Sequence, residues 1–340
     1  MATQQDDGGV PFTMAHAMHQ CRLLELPPEM VALLDAPHPP RSSLSIKSQP
    51  ASNANAPSPK PAYAVLCTSD KTFQLRQVQT SNSIFVTQPA LEAHGNEMPL
   101  PVTRAVASCT ATLELHPSDA SPQDLLREAL PVYDIVAGHV DATANTKTKA
   151  LVLEDVPLSQ GQCNAAWNAL MAFEHDQSSY RPSPNALAQV WTSINAAALA
   201  EDIKLDSQFL ADQVTRAVAE DGHPPDLAHA MLRFLAPDGQ KDDGPWSCLD
   251  RAKTVAFAGR ILLDAKNEGT FLTADFIDTW KDKLPEAWRE DAHLSVLQGS
   301  YELPTPSTIR ATSKASSAPA GVGKSSASKW HDKFGKTRKK

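Results

Sequence analysis

Period-two alternation of apolar and polar residues dominates the first third of this chain, and helical spacing dominates the rest. Residues 64–86 read AVLCTSDKTFQLRQVQTSNSIFV. Ala64, Val65 and Leu66 form a first apolar run, and Ser69-Asp70-Lys71 is turn chemistry. Phe73 and Leu75 then alternate with Gln74 and Arg76, which predicts a half-buried strand. Gln77 interrupts that alternation before Val78, predicting a bulge or a strand end. Thr80-Ser81-Asn82-Ser83 predicts a second turn, and Ile84-Phe85-Val86 a third strand. A further strand is predicted over 105–115. There Ala107, Cys109, Ala111, Leu113 and Leu115 share one face, while Ser108, Thr110, Thr112 and Glu114 share the other. Upstream, residues 21–34 carry leucines around Pro27-Pro28 and read as a short structured opening. Residues 1–20, polar and Gly-rich, read as a disordered tail, and the Pro/Ser/Ala/Asn-rich 37–61 as a mobile loop.

The period changes at Ser121-Pro122-Gln123-Asp124. A serine cap, a proline in the first helical position and an acid near the positive dipole end together predict a helix start. Cys163, Ala166, Trp167, Leu170 and Met171 then fall at i, i+3, i+4, i+7 and i+8 after the cap candidate Ser159. Leu187, Val190, Trp191 and Ile194 repeat the spacing. Leu210, Val214, Ala217 and Val218 repeat it again, as do Leu227, Met231, Leu232 and Leu235. Asp221-Gly222 and Asp238-Gly239 are turn signals. The last unit predicts a helix over 249–263, a short strand at 270–272 and a second helix capped by Thr273 and carrying Phe276, Ile277, Trp280 and Leu284. A third short helix over 287–293 and a hairpin over 294–303, turning near Gln298-Gly299, complete it. That order is the order of a winged-helix domain. Strands followed by helices make the chain α+β, with two segregated parts.

Composition adds three constraints. The 340 residues are long enough for two or three domains, and 27 prolines with 6% aromatic content predict long connections outside the cores. No apolar run approaches the roughly 20 residues needed to cross a bilayer, and the first residues lack the charged and apolar regions of a signal peptide. Cysteines 21, 67, 109, 163 and 248 are odd in number and widely spaced, which suits buried, reduced thiols in an intracellular protein. Charge is split unevenly. From residue 310 onward nine Lys/Arg face one acid, a net of +8, so the rest carries −16 of the formal −8. Nucleic-acid affinity is therefore expected to be local, in the tail or on one face of one domain.

A search for chemistry returns little. No two cysteines have zinc-ligand spacing, and His16, His19 and Cys21 lack a second ligand pair. Gly321-Val322-Gly323-Lys324-Ser325-Ser326 has Ala318 where a phosphate-binding loop requires glycine, and low-complexity flanks in place of a strand and a helix. Acid pairs such as Glu154-Asp155, Glu201-Asp202 and Asp242-Asp243 have no nucleophile placed beside them. The reading is therefore a non-enzyme with no cofactor and no metal. The tail 329–340 differs from its small, polar surroundings. Trp330 and Phe334 are four apart, so one helical turn places both on one face, among Lys336, Arg338 and Lys339. It reads either as a solvated basic tail or as a linear motif that anchors in a groove or on a nucleic acid.

The residues Cys67-Thr68-Ser69-Asp70-Lys71-Thr72-Phe73-Gln74-Leu75 with Thr80-Ser81-Asn82 resemble the "LCS-DKTY-L … TSN" block of the sister-chromatid-cohesion subunit family of the alternative replication factor C clamp loader. Leu23-Leu24-Glu25-Leu26-Pro27 resembles that family's opening segment. Phe276 to Lys281, Leu284-Pro285, Leu297-Gln298-Gly299 and Leu303 resemble its closing signature. The resemblance implies an antiparallel β-barrel-like domain completed by partner chains, followed by tandem winged-helix domains. The strand block by itself reads either as a self-contained β-domain or as an incomplete barrel with edges to be covered. On the second reading Val65, Leu66, Phe73, Leu75, Val78, Ile84 and Phe85 form its core and interface.

Expected boundaries are a tail 1–20, an assembly domain 21–118 with the loop 37–61, one or two winged-helix units in 119–245, a C-terminal winged helix 246–304 and a basic tail 305–340. The predicted third helix carries Glu286, Arg289, Glu290 and Asp291 and is net acidic. Arg251, Lys253, Arg260, Lys281 and Lys283 are therefore the better phosphate-contact candidates. The implied partners are the large ATPase and small chromosome-transmission-fidelity subunits, and indirectly the replication factor C small subunits and the sliding clamp. DNA polymerase epsilon and DNA without sequence preference complete the set, in the nucleus and away from membranes. Two rivals stay open: a scaffold subunit of the trimeric ribonucleotide-removing ribonuclease, and a winged-helix DNA-binding regulator.

Overall fold

The computed structural model describes residues 11–36, 44–49, 62–93, 98–135, 147–239, 244–266 and 269–312. Alternation in the first part produces one six-stranded sheet of order β1-β6-β5-β4-β3, with β2 also paired to β6. Its strands are β1 (Phe12–Gln20), β2 (Leu23–Glu25), β3 (Ser45–Gln49), β4 (Tyr63–Cys67), β5 (Thr72–Glu92) and β6 (Leu100–Pro117). The long β5–β6 pair is its spine, and the strand pairs β3–β4, β4–β5 and β5–β6 are antiparallel. β1 and β2 run parallel to β6, one after the other along its outer side.

One face near β4 is covered by α1 (Pro28–Leu34), which buries Met30 against Leu66, Phe73 and Leu115 with Leu26, Leu33 and Leu75 alongside. Leu66 and Phe73 are register partners, and Leu75 follows two residues later, so alternation puts all three on that face.

Several expectations change here. The segment expected to be a tail through residue 20 contains β1, and the segment expected to be a mobile loop contains β3. Both are edge strands whose hydrogen bonds come from distant sequence, a contribution invisible to local pattern. The second and third predicted strands are one strand: Thr80-Ser81-Asn82-Ser83 continues β5 where a turn was expected. The partner strand supplies the reason. β6 continues opposite, and the extra residues are absorbed as a register shift between Gln79 and Ile84. The predicted break at Gln77 is absent, since Gln77 and Val78 pair regularly with Leu113 and Thr112. The strand over 105–115 is present and extends to Leu100–Pro117, with Ala105, Ala107, Cys109 and Leu115 buried on the predicted face.

The helical part repeats an order of elements. First come α2 (Pro122–Ala129), β7 (Val132–Tyr133), α3 (Lys149–Asp155), α4 (Gln160–Ala169), β8 (Phe173–His175) and β9 (Ser178–Pro182), with a sheet β7-β9-β8. Next come α5 (Pro184–Ala200), β10 (Phe209–Leu210), α6 (Ala211–Glu220), α7 (Pro225–Leu235) and β11 (Trp246–Ser247), with β10 paired to β11. Last come α8 (Arg251–Ala265), β12 (Phe271–Leu272), α9 (Thr273–Asp282), two 3-10 turns (Glu286–Asp291 and Leu294–Leu297), β13 (Tyr301–Thr305) and β14 (Thr308–Ala311), with a sheet β12-β14-β13. Helix, strand, helix, helix and a final strand or hairpin thus recur three times. The copies are not identical: β7 runs parallel to β9, whereas β12 runs antiparallel to β14. Among the described residues no helix is long and apolar enough to cross a membrane.

Local chemistry fixes these helices as expected at several points. The Ser121 and Ser159 side chains accept from the backbone N–H groups of Asp124 and Gln162, satisfying donors that a helix start leaves open. Gly222 and Gly239 take positive φ after α6 and α7, as the turn signals required. Leu187, Val190, Trp191 and Ile194 are all buried in one large core that also takes Met231, Leu235, Phe276 and Trp280. A smaller core of Leu126, Val152, Leu158, Cys163 and Trp167 lies under the first repeat.

The last repeat departs from expectation in three details. Thr273 begins α9 without capping it: Leu272 is the cap residue, and the buried Thr273 hydroxyl has no hydrogen-bond partner. The predicted third helix is a 3-10 turn, with Trp288 buried within it. The hairpin lies between β13 and β14, past the turn expected at Gln298-Gly299, and folded residues therefore continue to Ala311. Gly259 in α8 is where the packing is tightest. A Cβ there would lie 2.6 Å from Trp280 Cε2 and 2.9 Å from Leu297 Cδ1.

Candidate partner-binding sheet

The sheet divides into a half that this chain covers and a half that it leaves open. In the covered half, Val65, Cys67 and Thr72 point to the face opposite Leu66 and Phe73, and that face meets the first helical repeat. The Ser159 N–H donates to Thr72 Oγ1 at 2.8 Å, and the Thr72 hydroxyl donates to Gln162 Oε1 at 2.6 Å. The N–H of Gly161, open at the start of α4, donates to the Ser69 carbonyl at 2.8 Å. Glycine suits that approach, because a Cβ would sit 3.0 Å from the Ser69 oxygen and 3.2 Å from Asp70 Cα, and the backbone there would have to give way slightly. The turn is held by Thr68. Its backbone N–H donates to the Lys71 carbonyl, while its hydroxyl accepts from the Lys71 N–H, each at 2.9 Å. Lys71 also forms an ion pair with Glu29 of α1. The Cys67-to-Thr72 stretch is therefore a joint between sheet and helices.

Lys47 of β3 makes a second joint. Its ammonium donates to three backbone carbonyls, Leu153 at 2.6 Å, Leu158 at 2.9 Å and Val156 at 3.0 Å. These carbonyls lie at and just beyond the end of α3, where orphan acceptors and the negative dipole end favour a cation. Sequence reasoning missed Lys47 because it falls in a segment read as loop. The alternation of Leu44 and Ile46 with Ser45 and Lys47 is the one local sign of a strand there. Around this joint burial pushes the Cys67 and Cys163 thiols up from their usual range, with the Lys47 charge pulling weakly the other way.

The open half is the far end of the β5–β6 hairpin with β1 beside it. There Ile84, Phe85, Val86, Leu91 and Leu100 on the hairpin, and Phe12 and Met14 on β1, are large apolar side chains exposed to solvent. Phe12 meets Phe85 edge-on at 6.2 Å between ring centroids. Glu92 ties the strands here, accepting from Thr13 Oγ1 at 3.0 Å and from Arg104 Nε at 2.9 Å. At the other edge Ile46 shares the face of its partner Leu66 but is 71% exposed, because nothing described lies beyond β3. Among the described residues the sheet is open at both edges and does not close into a barrel.

The predicted core and interface residues therefore separate. Val65, Leu66 and Phe73 are buried, Leu75 and Val78 are half-buried, and Ile84 and Phe85 are exposed. Four of the predicted phosphate contacts have partners within the chain. Arg251 pairs with Asp291 and donates to the Ala287 carbonyl at 2.8 Å, while the Lys253 ammonium lies 3.4 Å from Asp238 and 5.2 Å from the Phe234 ring centroid. Arg260 lies 3.7 Å from Asp264 one turn on, and Lys283 donates to Thr192 Oγ1 at 3.1 Å. Lys281 is in the last turn of α9. Trp330, Phe334, Lys336, Arg338 and Lys339 lie outside the described residues. Among the described residues no group of three or more His, Cys, Asp and Glu side chains is placed to hold a metal ion.

One family of known proteins matches nearly the whole folded chain, across residues 21–316. The match takes in the Ser69 turn, the Lys47 joint, the open hairpin end and all three helical repeats. The chain belongs to the sister chromatid cohesion protein Dcc1 family.

Proposed function

We propose that this chain is a non-catalytic subunit of the cohesion-specific alternative replication factor C clamp loader. Its exposed hairpin end is the observation that carries the reading. Apolar side chains on both faces of a paired strand, beside an open edge strand, are costly in water and are ordinarily covered. The large ATPase and small chromosome-transmission-fidelity subunits are the partners that would cover them, adding strands until the sheet closes as a shared barrel. Replication factor C small subunits and the sliding clamp would be reached through those partners, in the nucleus.

The three helical repeats are read as winged-helix units, the first two filling residues 119–245. Support comes from the recurring order of elements and from the strand arrangement of the last repeat. They would dock the loader to DNA polymerase epsilon and to DNA. Arg251, Lys253 and Arg260 have acidic partners in the chain, so the attraction to phosphate that they add would be weak and independent of sequence. Binding to duplexes of unrelated sequence should then be weak, uniform and strongly salt-dependent.

The test is co-expression of the full chain with the two chromosome-transmission-fidelity subunits. A stable ternary complex is expected, lost on Phe85→Asp or Leu91→Asp while the circular dichroism of the chain is unchanged. A chain that stays monomeric beside both partners would sink the proposal.

A further inference from the structure

A groove of about 560 Å³ runs between the end of α5 and the segment joining α9 to the first 3-10 turn. Its apolar lining includes Leu199, Ile203, Leu284 and the buried ring of Trp288, whose Nε1 donates to Asp206 at 3.3 Å. Leu199 is 85% exposed, an unusual position for a leucine at the end of a buried helix. The rim is acidic: Asp202, Asp282 and Glu286 are all exposed, against Lys204 and Arg289. An apolar trough with a net negative rim fits an amphipathic segment that carries one or two large apolar side chains and several cations.

The chain contains such a segment. Trp330 and Phe334 are spaced to share one helical face, and Lys329, Lys333 and Lys336 follow the same spacing on the adjoining face. We propose that residues 329–340 dock in this groove in cis. The two aromatic rings would lie on Leu199 and Trp288, and the lysines would lie against Asp282 and Glu286. Reach is sufficient. Seventeen residues lie between Thr312 and Trp330, and at full extension that stretch spans roughly 60 Å, about twice the breadth of a repeat of this size. The tail also leaves from β14, in the same repeat as the 3-10 turn that forms one wall. Charge separation between an acidic body and a tail of +8 raises the local concentration of tail at the groove.

The experiment uses the full chain with p-benzoylphenylalanine at position 334, irradiated and mapped by mass spectrometry. Cross-links to peptides covering 198–206 and 284–289 are expected. Their yield should fall at least about threefold in the exposed double variant Asp282→Lys/Glu286→Lys. A similar fall is expected in Leu199→Glu, which changes the apolar lining and leaves Asp282 and Glu286 in place. A mixture of isotopically light and heavy chains distinguishes the source of the tail, with only light–light and heavy–heavy products expected. Cross-links elsewhere, yields indifferent to both variants, or mixed light–heavy products at the groove overturn docking in cis.

Discussion

Lys47 concentrates more of the architecture than any other single side chain. One ammonium satisfies three backbone carbonyls at the end of α3 and so ties the edge strand β3 to the first helical repeat. Replacing it by methionine keeps the stem but removes the donor to the Leu153 and Leu158 carbonyls, while Val156 keeps its bond from the Leu158 N–H. Lys47→Met should lower unfolding stability by about 2 kcal/mol, near the value of hydrogen bonds to a charged group, as read from urea melts. The buried thiols beneath it give a pH prediction. Cys67 and Cys163 have raised pKa values in the folded chain, chiefly through burial, so the folded state holds protons that the unfolded chain releases. Their stabilising contribution is full below the ordinary thiol range and is lost as pH rises through it toward the folded values. Stability should therefore decline above roughly pH 8.5, and Cys67→Ser/Cys163→Ser should flatten that decline. Iodoacetamide at pH 8 should label exposed Cys21 well before either buried thiol.

At the scale of elements, the two serine caps were legible and yet differ in what they do. Ser121 caps α2 and is bonded only within its own helix start. Ser159 caps α4, and its backbone N–H also bonds Thr72 across the sheet–helix joint. Ser121→Ala should cost about 1 kcal/mol, the usual value of a cap. Ser159→Ala should cost more, because its hydroxyl is buried and also bonds Gln162, and thermal melts of the two variants compare them directly. Amphipathic helices were read correctly because a 3.6-residue period and a cap are local properties. Thr80-Ser81-Asn82-Ser83 was misread as a turn for the same reason. Four polar residues in a row carry turn chemistry, but the strand resumes its pairing with β6 at Ile84, and the four are accommodated as a bulge within β5. The cap assigned to Thr273 failed more narrowly, by one residue, since β12 runs directly into α9 and leaves the hydroxyl buried.

For the whole molecule the decisive contrast is between surfaces that this chain covers and surfaces that it leaves bare. The α1 helix and the first helical repeat cover opposite faces of the sheet near β4, while the hairpin end carries Ile84, Phe85, Val86 and Leu91 into solvent. Hydrogen exchange on the isolated chain should find the amides of Ile84 to Glu92 that do not bond to β6 poorly protected, and on the ternary complex strongly protected. Unchanged exchange there in a purified complex would move the interface elsewhere on the chain.

The sequence determined what depends on neighbours in the chain: the α+β division, the caps, the positive-φ glycines, the buried face of β6, and the turn at Ser69 whose residues resemble the family. Tertiary structure alone decided that β1 and β3 are strands, that Lys47 is a joint, and that Phe73 is core while Phe85 is surface. Those outcomes depend on which distant segment lies alongside, and alternation with a period of two reads the same whether its apolar face meets a helix, a partner chain or water.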